Sequence, residues 1–407
     1  MGLRSGYKQT VVGMIPEDWT LRPLLSAARV ASGQIDPRVE PYRSMILVAP
    51  DHIESGSGRL LEKRTAEDQK AISGKYLFSK ADVIYSKIRP HLKKAFLADF
   101  DGLCSADMYP LKPAPDVSAG YLIACILGHR FSKYAESVSA RSGMPKINRM
   151  ELAEYILSMP PTKSEQQAIA ETLSDTDALI ESLEQLLIKK SQLKQGAMQE
   201  LLTGQRRLPG FTEEWELKRL GQLAEMGSGG TPSSSVAAYY GGDIPWVSIS
   251  DMTKSGKIIK GTERNISALG LANSAAQMLP VGTVLYAMYA SLGECSIAGI
   301  PVCTSQAILG IRAKTSTLDS EFLYHYLTSL KPVVKELGQQ GTQSNLNKGM
   351  VQNFCLSLPV LAEQKIIASI LSEMDDEIAT LETQLKKARH LKQGMMQELL
   401  TGRIRLV

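Results

Sequence analysis

Residues 80–94, KADVIYSKIRPHLKK, set Lys80, Lys87, Arg89, Lys93 and Lys94 against the single acid Asp82, with Tyr85 and His91 interleaved. Cations at this density beside a turn-fixing proline suit phosphate oxygens and the edges of guanine. A solvated basic loop reads the same way. Residues 141–149, RSGMPKINR, add Arg141 and Lys146 together with Asn148 in a glycine-containing stretch. The matching stretch of the second half, 341–348, is nearly uncharged and offers Thr342, Gln343, Ser344, Asn345, Asn347 and Lys348. Asn and Gln can pair bidentately with adenine in a major groove, although ordinary polar loops carry the same residues. Tyr286 joins this second set, as the counterpart of Tyr85.

Other chemistries find little support. There is no G-x-x-x-x-G-K-[ST] motif for nucleotide phosphates and no N/D-P-P-aromatic signature of an adenine methyltransferase. Gly227-Ser228-Gly229-Gly230 lacks the G-x-G-x-x-G pattern and reads as a flexible loop. Pro50-Asp51 with Asp68-Gln69-Lys70 satisfies a loose nuclease pattern in which two carboxylates hold a metal. That pattern falls in a polar stretch with the character of a solvated loop. Five cysteines without a C-x-x-C pair and five scattered histidines give no metal-ligand spacing, and fit a reducing cytoplasm. No apolar run is long enough to span a membrane, and no secretory leader is visible.

The elements that position these loops are duplicated. Residues 164–208 and 362–406 align without a gap at an offset of 198, with about 25 of 45 positions identical. Weaker echoes flank them: Glu17-Asp18-Trp19 with Glu213-Glu214-Trp215, and Leu157-Ser158-Met159-Pro160 with Leu356-Ser357-Leu358-Pro359. The chain is therefore two diverged copies of one unit, a globular domain followed by a long helix. The boundaries fall at 1–160, 161–208, 209–359 and 360–407.

In the first repeat Ile169, Leu173, Thr176, Ile180, Leu183, Leu187 and Lys190 step by alternating four and three residues. Ile367, Leu371, Met374, Ile378, Leu381, Leu385 and Ala388 do so in the second, which marks an a/d seam. Ser164 with Gln167 fits a capping box, Gly204 and Gly402 fit helix stops, and Gly196 and Gly394 suggest close helix contact. Helices of this length, about 60 Å, cannot bury such a seam alone. Either the two pair into a rigid rod or separate coiled coils join several chains.

The globular halves read as mixed α/β. Strands are expected at 44–48, 82–85 and 282–286, and amphipathic helices at 120–135 and 320–337. The net charge of +4 is uneven: about +5 lies in residues 1–160 and about 0 in 209–359.

These residues resemble the specificity subunit of type I restriction-modification systems. The resemblance spans essentially the full length. It rests on the duplicated E-Q-x-x-I-A…L-K-Q-G-x-M-Q-E-L-L-T-G helices, on Ile15–Trp19 and residues 82–90, and on Gly230-Thr231-Pro232-Ser233, Asp243-Ile244-Pro245-Trp246-Val247 and Ala290-Ser291-Leu292-Gly293. It implies an α+β chain with two similar mixed α/β target-recognition domains, separated by two long antiparallel helices with internal pseudo-two-fold symmetry. Each domain would read half of a bipartite, asymmetric site in double-stranded DNA, and the chain itself would hold no catalytic residue, metal or cofactor. Two methylation subunits, and restriction subunits through them, would be its partners and would carry S-adenosylmethionine, ATP and Mg. A metal-dependent nuclease or a coiled-coil adaptor of a related anti-phage system is the competing expectation.

Overall fold

The computed structural model describes residues 5–140, 143–340 and 345–406. The chain divides into two units, residues 1–185 with 383–407 and residues 186–382. In the first unit the main sheet is antiparallel. Its strands β1 (Ala28–Val30), β2 (Val83–Ser86), β3 (Ala95–Leu97) and β4 (Met108–Pro113) stand in the spatial order β1-β4-β2-β3. Val83, Ile84, Tyr85 and Ser86 are all buried, so β2 is covered on both faces. That is why it reads as an apolar run without alternation.

Residues 120–135 form two helices, α1 (Ala119–Leu127) and α2 (His129–Ser139), because Gly128 takes an extended conformation (φ −65°, ψ 151°). A short α3 (Arg149–Glu154) follows, and the domain closes where Ile156–Met159 pairs antiparallel with the entry strand Thr20–Pro23. The residue pattern shared by the two ends of each half is thus one strand pair. The chain then enters α4 (Lys163–Leu202).

The second unit repeats this plan. Strands β5 (Ala224–Ser228), β6 (Ile258–Ile259), β7 (Val284–Ala287), β8 (Cys295–Ala298) and β9 (Ile308–Ala313) form a sheet in the order β5-β9-β7-β8-β6. Glu216–Arg219 pairs with Cys355–Leu358 as entry and exit strands. The expected helix at 320–337 is likewise two, α5 (Ser320–Ser329) and α6 (Lys331–Gln340). Pro332 supplies no N–H for the Thr328 carbonyl, so the helix cannot run on unbroken. A short α7 (Lys348–Gln352) precedes the exit strand. The strand expected at 44–48 shrinks to Leu47–Val48, after a 3-10 turn at Tyr42–Ser44.

α4 and α8 (Leu361–Leu399) are 40 and 39 residues long. The cap of α4 is Thr162, whose Oγ1 accepts from the Glu165 N–H at 3.2 Å; Ser164 lies exposed inside the first turn. Gly204 and Gly402 end the helices in the left-handed region, at φ 75° and 69°. Gly196 and Gly394 have nothing within 4 Å of where a Cβ would stand, so close helix contact at these glycines is not present.

Within each unit the two helices run antiparallel. In the first, Asp177 pairs with Lys392 at 2.5 Å and Glu184 with Arg389 at 2.7 Å. In the second, Lys194 pairs with Asp375, and Lys190 with Glu377 at 2.6 Å. Lys190, a polar break in the seam, is thereby neutralised. Ile169, Leu173, Ile367, Leu371 and Leu385 are buried, whereas Ile180, Leu183, Leu187, Met374, Ile378 and Leu381 are half-buried. The driest part of the seam lies where the helices also pack on a domain core, Ile169 and Leu173 in one and Ile367 and Leu371 in the other.

The repeated Glu-Gln pair explains itself in this setting. Gln166 accepts from the Ser118 N–H at 2.8 Å and Gln364 from the Asp319 N–H at 2.9 Å, so each fastens a helix start to its domain. Glu165 is buried and takes Arg405, which also grips Asp18 through two 3.0 Å bonds and holds that carboxyl below its usual range. Glu363, also buried, takes Arg207 through two 3.0 Å bonds and the Trp215 indole N–H at 3.1 Å. Each globular domain is thus locked to a helix start by a buried carboxylate.

Candidate nucleic-acid interface

The two basic stretches of the first domain, separated by 46 residues in sequence, meet in space. The Arg89 N–H donates to the Pro145 carbonyl at 2.8 Å and the Ile147 N–H to the Lys87 carbonyl at 2.9 Å, with a bridge between Ile88 and Lys146. Residues 87–94, joining β2 to β3, therefore lie alongside 143–149. Tyr109 of β4 supports the pair, with the Lys87 ammonium 5.3 Å and the Arg149 guanidinium 5.8 Å from its ring centre. Arg149, which the sequence reading left out, also donates to the Ala31 carbonyl at 2.8 Å. Lys80 precedes β2 and stands at the far end of that strand from Lys87.

Among the other candidates, Arg89 and Lys146 are exposed and Lys93 is half-buried. Lys94 is committed to the fold, its ammonium donating to the Pro50 carbonyl at 2.7 Å. Asn148 caps α3 by accepting from the Glu151 N–H at 3.0 Å. A side-chain oxygen used in this way does not offer the free amide edge that bidentate adenine pairing requires. Arg141 lies outside the described residues.

The second domain builds the same juxtaposition from different side chains. The Leu346 N–H donates to the Met288 carbonyl at 3.0 Å, which sets residues 345–348 beside the 288–294 loop between β7 and β8. Asn345 and Lys348 are exposed there. Asn347 caps α7 by accepting from the Met350 N–H at 3.0 Å, so it matches Asn148 in structure and is likewise a cap. Thr342, Gln343 and Ser344 lie outside the described residues.

Tyr286 is a correction: it sits in the middle of the β7 strand at 0% exposure, inside the domain core, and can touch no DNA. Among the described residues its hydroxyl has no hydrogen-bond partner, and the same is true of Tyr85 on β2. Burial pushes the Tyr85 and Tyr286 phenols far above the ordinary range.

The loose nuclease pattern forms no site. Asp68 accepts from the Thr65 N–H at 3.1 Å and closes a local turn, and Asp51 is exposed in the 3-10 turn Pro50–His52. Among the described residues no group of His, Cys, Asp and Glu could hold a metal, and no helix is long and apolar enough to cross a membrane.

The chain thus presents a paired loop on each copy of a duplicated framework, and comparison with known proteins gives the family. The type I restriction modification DNA specificity domain matches residues 50–190 and 212–388. The chain belongs to that family, as a non-catalytic specificity subunit of a type I restriction-modification system. It is 24% identical over 426 aligned residues to the specificity subunit assigned to the MjaX type I restriction enzyme of Methanocaldococcus jannaschii, covering 99% of this chain and 97% of that one. To the EcoDI specificity subunit of Escherichia coli it is 30% identical, across 51% of this chain and 46% of the other. The fold matches a crystal structure of the S subunit of a type I restriction-modification system from M. genitalium, with a TM-score of 0.64, 14% identity and 98% of each chain covered. It also matches, with a TM-score of 0.60, 21% identity and 96% and 99% coverage, a chain from a study of the assembly and conformational transition of a type I system.

Proposed function

We propose that this chain reads a bipartite, asymmetric DNA site, one half per domain, and carries that choice to bound methylation and restriction subunits. In the first domain Lys87, Arg89, Lys93 and Lys146 face phosphates and guanine edges, with Arg149 beside them. In the second, Asn345 and Lys348 border a loop without basic residues. The observation that carries this reading is the repeated loop pair, 87–94 with 143–149 and 288–294 with 345–348. It has one backbone plan and two side-chain chemistries. Like frameworks with unlike loops suit two different half-sites.

Two methylation subunits dock on the two like halves, and restriction subunits join through them. S-adenosylmethionine, ATP and Mg belong to those partners, and the complex works on cytoplasmic DNA. The test is replacement of residues 209–359 with the corresponding domain of a relative. One half of the methylated motif changes and the other persists. A change in both halves refutes the one-domain, one-half-site assignment.

A further inference from the structure

The two equivalent loops share an unusual backbone. Residues 87–94 place Arg89 (φ 48°, ψ 61°) and Lys93 (φ 48°, ψ 47°) in the left-handed region, on either side of the 3-10 turn Pro90–Leu92. Residues 288–294 place Ala290 (φ 58°) and Gly293 (φ 77°) there, at matching distances from the flanking strands. A side chain with a Cβ is strained in this conformation, and glycine is not. The second domain meets one of the two demands with glycine; the first fills both with cations.

Among the described residues neither the exposed Arg89 side chain nor the half-buried Lys93 side chain has an ion-pair or hydrogen-bond partner. Their neighbours are accounted for. Lys94 holds the Pro50 carbonyl, and Lys87 leans on Tyr109. In the second loop no position is Lys or Arg, and its one charge, Glu294, is neutralised by Lys331 at 2.5 Å. Strain retained at unpaired cations, where the sister loop carries neither charge, is the mark of a ligand clamp.

We propose that Arg89 and Lys93 form a phosphate clamp on the DNA backbone and that the second domain's loop supplies none, so that the chain's electrostatic hold on DNA comes chiefly through its first domain. This inference rests on the DNA-recognition reading above. Arg89 and Lys93 then act on every sequence alike, and discrimination falls to the neighbouring side chains, Lys87 and Lys146 among them.

The test measures binding of the full chain to a short duplex of arbitrary sequence as a function of salt, alone and with its methylation partner. Arg89→Gly and Lys93→Gly each reduce the magnitude of the log–log salt slope by about 0.9. Their thermal midpoints hold or rise by about 1–2 °C, as left-handed strain is relieved. Lys93→Gln loses the same slope without the gain in midpoint, which separates charge from backbone strain. Lys80→Gln, at the far end of β2, changes neither. Ala290→Arg installs a cation on the matching left-handed position and steepens the slope by about 0.9.

An unchanged slope in Arg89→Gly and Lys93→Gly, with wild-type binding intact, overturns the clamp. An unchanged slope in Ala290→Arg overturns its equivalence with the second loop. A wild-type chain that binds no duplex under either condition overturns the DNA-recognition reading, and the clamp with it.

Discussion

Replacing Gly402 with alanine tests how the turn after α8 is fastened to Pro16 and Trp19. Gly402 sits at φ 69°, and a Cβ there would stand 2.6 Å from both Cδ and Cγ of Pro16 and 3.2 Å from the Trp19 ring. The proline ring cannot bend away, so backbone must move. The left-handed conformation costs alanine about 1–2 kcal/mol, and forcing a methyl into a filled space costs about 1–3 kcal/mol more. Gly204 is the internal control, because it has the same role in the second unit at φ 75°, and the nearest atoms to its Cβ position belong to the Trp215 ring, at 3.2 Å and beyond, with none as close as Pro16 is to Gly402. Gly204→Ala should therefore cost the backbone term of about 1–2 kcal/mol and little else. For units of roughly two hundred residues each kcal/mol lowers a midpoint by about 2–4 °C. Calorimetry should show the larger fall in Gly402→Ala. Hydrogen-exchange mass spectrometry should place the lost protection in the hairpin Tyr7–Thr10 with Gly13–Pro16, where Tyr7 donates to the Gly402 carbonyl at 3.0 Å. Equal falls, or a larger one in Gly204→Ala, would refute the steric account.

Two further predictions concern buried groups. Tyr286→Phe removes a hydroxyl that has no partner among the described residues, so stability holds or rises by about 1 kcal/mol and DNA affinity is unchanged; a loss of affinity in this variant would return Tyr286 to the interface. His325, on α5, is fully buried, with Ser372 on one ring nitrogen and Asp375, Lys194, Lys257 and Glu321 around it. Burial above all, with Lys257 and Lys194 adding, pulls its pKa down to about 3. The unfolded chain takes up a proton near pH 6.5 that the folded chain refuses, so this contribution is intact above that pH. It is lost by about 1.4 kcal/mol per unit as pH falls toward 3. A chemical-denaturation series from pH 7 to pH 5 should show that slope, and His325→Gln should flatten it; identical slopes would contradict the burial argument.

The helices were legible because a seam repeated at heptad spacing in two copies admits one periodic structure. Their ends were legible through Gly204 and Gly402, whose left-handed turns only glycine makes cheaply. Tyr286 misled because a strand covered on both faces carries no alternation, and nothing local tells a core tyrosine from one at a surface. The meeting of residues 87–94 with 143–149 was invisible since it depends on long-range backbone bonds such as Arg89 to Pro145. Asn148 and Asn347 were nominated for DNA contact and also cap helices, a role signalled for Asn148 by Glu151 three residues on, whereas Met350 in the same position after Asn347 gives no such sign. The left-handed turn at Lys93 did leave a trace: its counterpart in the second copy, Gly293, is a glycine.

The central claim is that this chain dictates which DNA sequence is modified, with each domain responsible for one part of it. Genome-wide mapping of methylated adenine in the host, with and without the gene, tests this most directly. The account predicts a split motif, two short half-sites at a fixed spacing, that vanishes on deletion. An unchanged methylome, with this chain and its methylation partner both expressed, would contradict it.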